Sequence, residues 1–321
     1  MTPKHKTSRR LWPYLAVPAL AVLIAAVVYI GDFSPEDVGI GGSSDETLPG
    51  SQVDQSELAD SEIQPDPAEQ HEAAQEYLQG LLDEAVGEYL AGIEDENLYA
   101  SIAVSDGEFE LDYNGDEQHG SASIIKVEIL GMVLLDYETV EEIPGWVVAD
   151  AEKMIRESDN DATNSLLFGL LDGHATMREA HEVFDLAGTE PGEGERWGMT
   201  RTTAVDQLTL LDGVLYEGVL SEGHAELARE LMGDLADFQY WGVSAGAEEG
   251  ETVWMKNGWD TRDELGGEWV VNSIGVIAGD TEEPIMLSIL TGGSASHQEG
   301  IDLVEGLAEI AREVIDTDPL A

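Results

Sequence analysis

Lysine is scarce in this chain, and two of its lysines stand in short polar motifs that suit nucleophilic catalysis. Beyond the basic N-terminus only Lys126, Lys153 and Lys256 occur in the 321 residues. In the stretch SASIIKVEIL, Ser123 and Lys126 are three positions apart, so on a helix their side chains share one face. A serine in a first helical turn lies among unpaired backbone N–H groups that favour a developing oxyanion. Because burial depresses the pKa of a lysine, Lys126 is a candidate base for Ser123.

A second motif, Ser-Asp-Asn at positions 158–160, supplies further polar groups. The hydroxyl of Ser158 can relay a proton between nucleophile and leaving group, and the amide of Asn160 can hold a substrate carbonyl. The same residues are also ordinary helix N-caps, and an isolated S-x-x-K is most often a surface lysine near a helix start. Neither motif is specific by itself.

The third motif, Lys256-Asn257-Gly258, closes the strand-like run TVWMK. A lysine at the end of a strand, followed by a small polar residue and glycine, suits the approach of a ligand backbone to the strand edge. The alternative is a strand that simply ends in a turn.

In this order the three motifs resemble the penicillin-recognising serine enzymes: class A β-lactamases, D-alanyl-D-alanine peptidases and their relatives. Their signature is S-x-x-K, S-D-N and K-T-G. The stretch SDNDATNSLL is similar to the family's second motif running into its helix, and WVVNSIGVIA is similar to the strand that follows the K-T-G strand. The resemblance covers residues 69–321.

The resemblance implies a catalytic role for three residues. Ser123 attacks the carbonyl and becomes the acyl-enzyme, Lys126 is the general base of acylation, and Ser158 passes the proton onward. No metal and no organic cofactor is implied.

The resemblance also implies a substrate-binding set. Asn160 orients the substrate amide, and Lys256 faces a substrate carboxylate. The backbone N–H groups of the nucleophile and of Trp259 form the oxyanion hole. The binding residues are therefore Asn160, Lys256, Asn257, Gly258 and Trp259.

Two departures from the family pattern bear on turnover. Asn257 stands where the motif usually has Thr or Ser; an amide still donates to a carboxylate, with a different reach. The segment TEPGEGERWGMTRTTAVDQLTLL has the Thr-rich helix start but no preceding E-x-x-L-N, which carries the deacylating glutamate in class A enzymes. Its candidate substitutes are loop glutamates, which in so acidic a chain are more often solvated charges: Glu190, Glu193 and Glu195.

These features predict a serine acyl-transfer hydrolase that acts through an acyl-enzyme on β-lactams or related D-Ala-D-Ala cell-wall peptides. Without a base for water, the acyl-enzyme would persist. One alternative is a non-catalytic envelope protein that kept the fold for binding. Another is a D-alanyl-D-alanine peptidase or esterase with poor β-lactam turnover. The sequence makes no prediction about oligomeric state.

The elements that position these motifs follow from hydrophobic periodicity. A helix is predicted from residue 69, a hairpin in LYASIAVSDGEFELDYNG, and helices to about residue 235. Three strands and a last helix follow: TVWMK (252–256), EWVVNSIGVIA (268–278), PIMLSILTGG (284–293) and HQEGIDLVEGLAEIAREVID. This order predicts an α/β (α+β) fold, in which N- and C-terminal helices flank a five-stranded antiparallel sheet beside a small all-helical lobe.

The N-terminus has the pattern of a targeting segment. Residues 1–31 are a basic stretch followed by 20 uncharged positions, the length of a membrane-spanning helix. This favours an uncleaved anchor in the cell membrane with the catalytic domain outside. A cleaved signal and a secreted protein are the alternative. Residues 32–68 are predicted to be a disordered acidic linker before the domain at 69–321.

The charge balance excludes several classes of protein. Lysine and arginine number 14 against 67 acidic residues, a net charge of −53, which repels nucleic acid. With an ordinary apolar content, this balance indicates a folded protein adapted to high salt, which a melting temperature that rises with salt would support. Cysteine is absent, so disulfides and thiol catalysis play no part. The histidines form no metal-binding spacing, and no G-x-S-x-G or P-loop occurs.

Overall fold

The structure, a computed structural model, describes residues 66–93, 97–192, 196–216 and 218–319. The predicted N-terminal anchor and nearly all of the predicted linker lie outside the described residues. Within the described part of the chain, no helix combines the length and the apolar character needed to cross a membrane.

The described chain contains eight α-helices and seven strands. The helices are α1 Pro67–Ala91, α2 Lys126–Leu135, α3 Gly145–Arg156, α4 Asn160–Asn164, α5 His174–Val183, α6 Ala204–Leu215, α7 Glu222–Gly233 and α8 His297–Ile315. The strands are β1 Tyr99–Ser105, β2 Glu110–Tyr113, β3 His119–Gly120, β4 Arg201–Thr202, β5 Val253–Arg262, β6 Glu268–Ile277 and β7 Ile285–Ser294. A 3-10 turn, Ala122–Ile125, leads into α2, and a π-helical segment, Ser165–Leu170, continues α4.

Five strands form one sheet in the order β2-β1-β7-β6-β5, and every neighbouring pair is antiparallel. The prediction of a five-stranded antiparallel sheet with helices at both ends of the chain is therefore confirmed. The predicted hairpin is β1 and β2, and its turn contains Gly107 at φ 86°, a left-handed conformation that glycine adopts without a steric penalty.

Helix starts follow local capping chemistry. Asp66 accepts a hydrogen bond from the Ala68 N–H and is followed by Pro67 at the first helical position, so α1 begins two residues before its predicted start. The side chain of Thr203 accepts from the Asp206 N–H at the start of α6. Thr203, in the Thr-rich stretch of the sequence, is thus the N-cap of α6.

The sheet separates two apolar cores, and strand alternation assigns residues to each. On one face Ile102, Leu287 and Ile289 pack with α1 and α8. On the other face Ile274 and Leu290 pack with the helical block. In the edge strand β5, Met255 belongs to the α8 side, so the even-numbered positions face the helical block.

The sequence placed the end of β5 too early. The strand was predicted to stop at residue 256, but it continues to Arg262 and pairs with β6 over all its length. The glycine that suggested a turn lies inside the strand: a Cβ on Gly258 would be 2.7 Å from the backbone nitrogens of Ser123 and Ile124. Glycine within a strand here marks the close approach of another backbone segment.

Candidate active site

The 3-10 turn that carries Ser123 is held between the sheet and the helical block. Asn272 on β6 donates from Nδ2 to the carbonyls of Gly120 and Ser121, at 2.8 and 3.1 Å. The residue before the nucleophile, Ala122, has φ 48°, a strained conformation for a residue with a side chain. Contact with Gly258 of β5 holds the turn from the other side. The strain is therefore fixed by surrounding structure.

Lys126 lies directly below the predicted nucleophile. Its Nζ is 3.0 Å from Ser123 Oγ and 3.1 Å from Ser158 Oγ. It also donates to the Ser158 carbonyl at 2.6 Å and to Asn160 Oδ1 at 2.8 Å. The structure thus brings the first two motifs together around one amine, although 32 residues separate Lys126 from Ser158 in the chain.

Burial favours the neutral form of the Lys126 amine. Lys126 is fully buried, and this burial lowers its pKa from 10.5 to about 7, opposed by the charge of Asp159. A neutral amine has two N–H donors and one lone pair. The Ser158 carbonyl and Asn160 Oδ1 are acceptors only and take the two N–H groups, so the lone pair is left to the hydroxyl groups of Ser123 and Ser158. This arrangement suits a general base beside a serine hydroxyl.

Ser158 adopts the left-handed conformation, with φ 57°. Two hydrogen bonds hold the next residue: the N–H of Asp159 donates to the Lys153 carbonyl at 3.1 Å, and Asp159 Oδ1 accepts from the Ala162 N–H at 2.6 Å. Asp159 is therefore the N-cap of α4. The residue before it, Ser158, places its hydroxyl within hydrogen-bond distance of both Lys126 and Lys256. Strain of this kind costs roughly 1–3 kcal/mol and persists where the surroundings impose it.

Lys256 reaches the same point from the sheet. Its Nζ donates to Ser158 Oγ at 3.0 Å, to the carbonyl of Asn257 at 2.7 Å and to Gln239 Oε1 at 3.3 Å. Three oxygen atoms thus surround this amine, and the Ser158 hydroxyl among them can donate as well as accept. Complete burial, and then the charge of Lys126, place the pKa of Lys256 well below its usual value. Ser158 Oγ thus lies between two amines, where a proton relay needs it.

Asn257 does not occupy the position expected of it. Its Nδ2 donates to the carbonyls of Gln239 and Trp241, at 2.7 and 3.0 Å, and its Oδ1 accepts from Ser273 Oγ at 2.6 Å. Both amide protons are used and the side chain is fully buried. The prediction that this amide donates to a substrate carboxylate disagrees with the structure. The physical reason is strand alternation, which turns Asn257 to the sheet face opposite Lys256.

Trp259 lies in the edge strand one residue beyond Gly258, beside the nucleophile turn. Its ring contacts Trp241 and His297, with centroid distances of 5.8 and 5.4 Å, on the α8 side of the sheet. Its contribution to an oxyanion hole, through the backbone N–H, stays a prediction.

Gln239 is a site residue that no motif in the sequence indicates. It is fully buried, and besides meeting Lys256 it donates from Nε2 to the Arg156 carbonyl at 2.7 Å. It therefore links the end of α3 to β5. A lone glutamine between aromatic residues carries no motif, so only the long-range contact identifies it.

Trp197 is the second residue missed. Its ring lies over Lys126, with Nζ 5.0 Å from the ring centroid, and its Nε1 donates to Asn164 Oδ1 at 3.0 Å. The ring belongs to the loop before the Thr-rich helix start, the segment in which a deacylating glutamate was sought. An indole thus covers the amine on this side.

Of the three candidate glutamates, only Glu190 is described by the structure. Its side chain is exposed, and its backbone pairs with Arg201, with N–O distances of 2.8 and 2.9 Å. Glu193 and Glu195 lie outside the described residues. The described partners of Lys126 Nζ are hydroxyl, carbonyl and amide oxygens, with no carboxylate among them. Within the described part of the chain, no three His, Asp or Glu side chains are arranged to hold a metal ion.

The described chain places a serine and two buried lysines between a five-stranded antiparallel sheet and a helical block. Solved structures with this fold are a variant of PBP-A in an acyl-enzyme complex with penicillin G (TM-score 0.59, 19% identity, covering 75% of this chain and 97% of that one). Another is an ancestral class A β-lactamase (TM-score 0.59, 19% identity, covering 74% of this chain and 99% of that one). A third is a class A β-lactamase from Bacteroides cellulosilyticus (TM-score 0.62, 13% identity, covering 75% of this chain and 99% of that one). At these identities the likeness shows the fold.

The model of the β-lactamase enzyme family matches residues 149–317, more than half of the chain. The chain belongs to this family. No curated protein sequence matches it.

Proposed function

We propose that this protein is a serine acyl-transfer enzyme in which Ser123 is acylated by β-lactams or by D-Ala-D-Ala-type peptide ends. Lys126 removes the Ser123 proton, and the carbonyl carbon of the scissile amide bonds to Oγ. The bond from that carbon to the amide nitrogen then breaks, Ser158 donates its proton to the departing nitrogen, and Ser158 regains a proton from Lys126, which returns to the neutral amine. The product is an ester on Ser123.

One observation supports this proposal above the others. Lys126 Nζ is 3.0 Å from Ser123 Oγ, while two acceptor-only oxygens engage its N–H groups. A buried amine in this arrangement is poised as a base near neutral pH. Burying two lysines costs desolvation free energy, and a role of the Lys126 amine in proton transfer accounts for that cost.

The second half of the reaction, hydrolysis of the ester, is proposed to be slow. Water needs a base beside the acyl group, and the described partners of Lys126 include no carboxylate. The indole of Trp197 covers the amine where a water and its base would have to lie. A persistent acyl-enzyme favours a covalent penicillin binder or a D-alanyl-D-alanine peptidase over an efficient β-lactamase.

The test is incubation with benzylpenicillin followed by intact mass measurement. Wild type is expected to gain the mass of one penicillin, and Ser123→Ala to gain none, because the nucleophile is lost. Ser165→Ala is the matched control, since this serine bonds to Asp150 in the helical lobe at 2.7 Å and does not contact Lys126. An adduct that persists on Ser123→Ala would refute the assignment of the nucleophile.

The penicillin incubation, combined with assays on a D-Ala-D-Ala peptide and a simple ester, separates a peptidase from a non-catalytic protein. Adduct formation with slow release, together with cleavage of a D-Ala-D-Ala peptide, identifies a peptidase. No adduct and no hydrolysis of any β-lactam, peptide or simple ester indicates a non-catalytic envelope protein on this fold.

We further propose that the enzyme is tethered to the cell membrane by its N-terminal segment and acts outside the cytoplasm. The basis is the basic stretch and the 20 uncharged positions that follow it. N-terminal sequencing of the membrane-bound protein is the measurement, and a mature terminus beyond residue 30 would show cleavage instead.

A further inference from the structure

A short loop beside Lys256 exposes two aromatic rings. It contains a 3-10 turn at Asp237–Gln239, and its side chains alternate between burial and exposure. Phe238 and Tyr240 are 62% and 58% exposed, whereas Gln239 is fully buried and Trp241 is 7% exposed. Within the described residues, these two rings are the most exposed large apolar side chains.

The loop is fixed to both sides of the cleft, so the backbone that carries the two rings is held in place. On the helical side, the Arg156 carbonyl accepts hydrogen bonds from the Ala236 N–H at 3.0 Å and from Gln239 Nε2 at 2.7 Å. On the sheet side, the Gln239 carbonyl accepts from Asn257 Nδ2 at 2.7 Å. The ring of Trp241 packs on Trp259 behind the sheet. A surface fixed before binding loses little conformational entropy when a ligand meets it.

The loop that carries the rings contacts a group of the site. Phe238 and Tyr240 are the chain neighbours of Gln239, whose Oε1 is 3.3 Å from Lys256 Nζ, and that Nζ is 3.0 Å from Ser158 Oγ. The family resemblance implies that Lys256 faces the substrate carboxylate, and in the proposed function Ser158 protonates the departing nitrogen. In a β-lactam the carboxylate is attached to the carbon bonded to that nitrogen. The loop therefore adjoins the leaving-group side of the substrate.

We propose that Phe238 and Tyr240 form a subsite for apolar, aromatic substituents on the leaving-group side, next to the substrate carboxylate. This inference rests on the proposed function and adds a specificity to it. In a cephalosporin the group concerned is the C3 substituent, which is bonded to the carbon beside the one that carries the carboxylate. Ring-on-ring contact favours aromatic groups there. The exposed carboxylate of Asp237 in the same loop disfavours anionic ones.

The test uses two cephalosporins with the same thienylacetyl side chain. Nitrocefin carries a dinitrostyryl group at C3, and its analogue carries a methyl group. The second-order rate of Ser123 acylation is measured for each by quenched-flow mass spectrometry. Because the two compounds differ in intrinsic reactivity, the readout is the nitrocefin-to-analogue rate ratio in each variant, divided by the ratio in wild type.

Phe238→Ala and Tyr240→Ala are each expected to lower this ratio by about threefold to tenfold, the loss of one aromatic contact. The rate with the methyl analogue should stay within about twofold, because a small substituent loses little contact. Trp146→Ala is the matched control: this tryptophan is 50% exposed near the opposite end of α3, about 15 Å from Arg156 along the helix. Its ratio should equal that of wild type.

A double variant Phe238→Ala/Tyr240→Ala that folds, as judged by its melting temperature, and keeps the wild-type ratio would overturn the subsite. An equal fall for both compounds would also overturn it, since that indicates a general disturbance of the cleft. Failure of both compounds to acylate wild type would instead refute the proposed function itself, which separates the two outcomes.

Discussion

Lys126→Ala is expected to slow acylation of Ser123 by about a thousandfold, in the range that general-base catalysis contributes. The loss follows from geometry, because Lys126 Nζ is the described amine within hydrogen-bond reach of Ser123 Oγ, at 3.0 Å. Lys256 bonds instead to Ser158 Oγ, so it does not replace the missing base. The measurement is the second-order rate of penicillin adduct formation by intact mass.

The pH dependence of the wild-type rate gives a second readout of the same base. The pKa of Lys126 is lowered to about 7, so the neutral amine is the minor form below pH 7 and the major form above it. Acylation should therefore rise through this pH and then level off. The residual rate of Lys126→Ala should lack this rise, since the titrating amine is gone.

Lys153→Ala is the matched control for the lysine substitution. This side chain is exposed on α3, and it makes none of the described contacts with Ser123 or Ser158. Its acylation rate should equal that of wild type. If Lys126→Ala keeps more than about a tenth of the wild-type rate, another group is the base and the assignment fails.

Trp197→Glu is expected to speed release of the acyl group from Ser123 by about a hundredfold or more, the lower range of a general base. Trp197 covers Lys126, with the ring centroid 5.0 Å from Nζ. A glutamate is smaller than an indole, so the substitution opens room for a water and places a carboxylate beside it. The measurement is the decay of the penicillin adduct after excess penicillin is removed.

Trp197→Gln separates the two effects of that substitution. Glutamine has the shape of glutamate without a basic carboxylate, so it admits water but does not activate it. We expect its adduct to decay far more slowly than that of Trp197→Glu. Equal decay in the two variants would mean that access of water alone limits the reaction. No acceleration in either would contradict the proposal that this ring protects the ester.

Trp197→Glu also removes the hydrogen bond from the indole Nε1 to Asn164 Oδ1. The loss of a neutral hydrogen bond at a partly exposed position costs about 1 kcal/mol. The folded state should therefore survive the change, and melting temperatures of both Trp197 variants are the check.

Local pattern was enough to predict most elements and two of the three motifs. Ser123 and Lys126 are three residues apart, so their side chains lie on the same side of one helical turn. The periodicity of a strand or a helix can be recognised within about ten residues. The third motif was located correctly but its strand was ended too soon. Gly258 was expected to suit the approach of a ligand backbone, with a strand-ending turn as the alternative, and the structure shows that it makes room for the backbone of the turn that carries Ser123. A glycine signals a turn and a close approach in the same way, so the chain alone does not separate them.

By itself, the sequence determined the order of helices and strands and the identity of Ser123, Lys126 and Ser158 as candidates, because each depends on residues close together in the chain. The five-stranded antiparallel sheet was predicted from that order of elements. Only the tertiary structure decided that Asn257 faces away from the cleft, that Gln239 supports Lys256, and that Trp197 covers Lys126. These features depend on which face of a strand contacts which loop. Contacts between residues more than a dozen positions apart in the chain are determined by the packing of the whole domain.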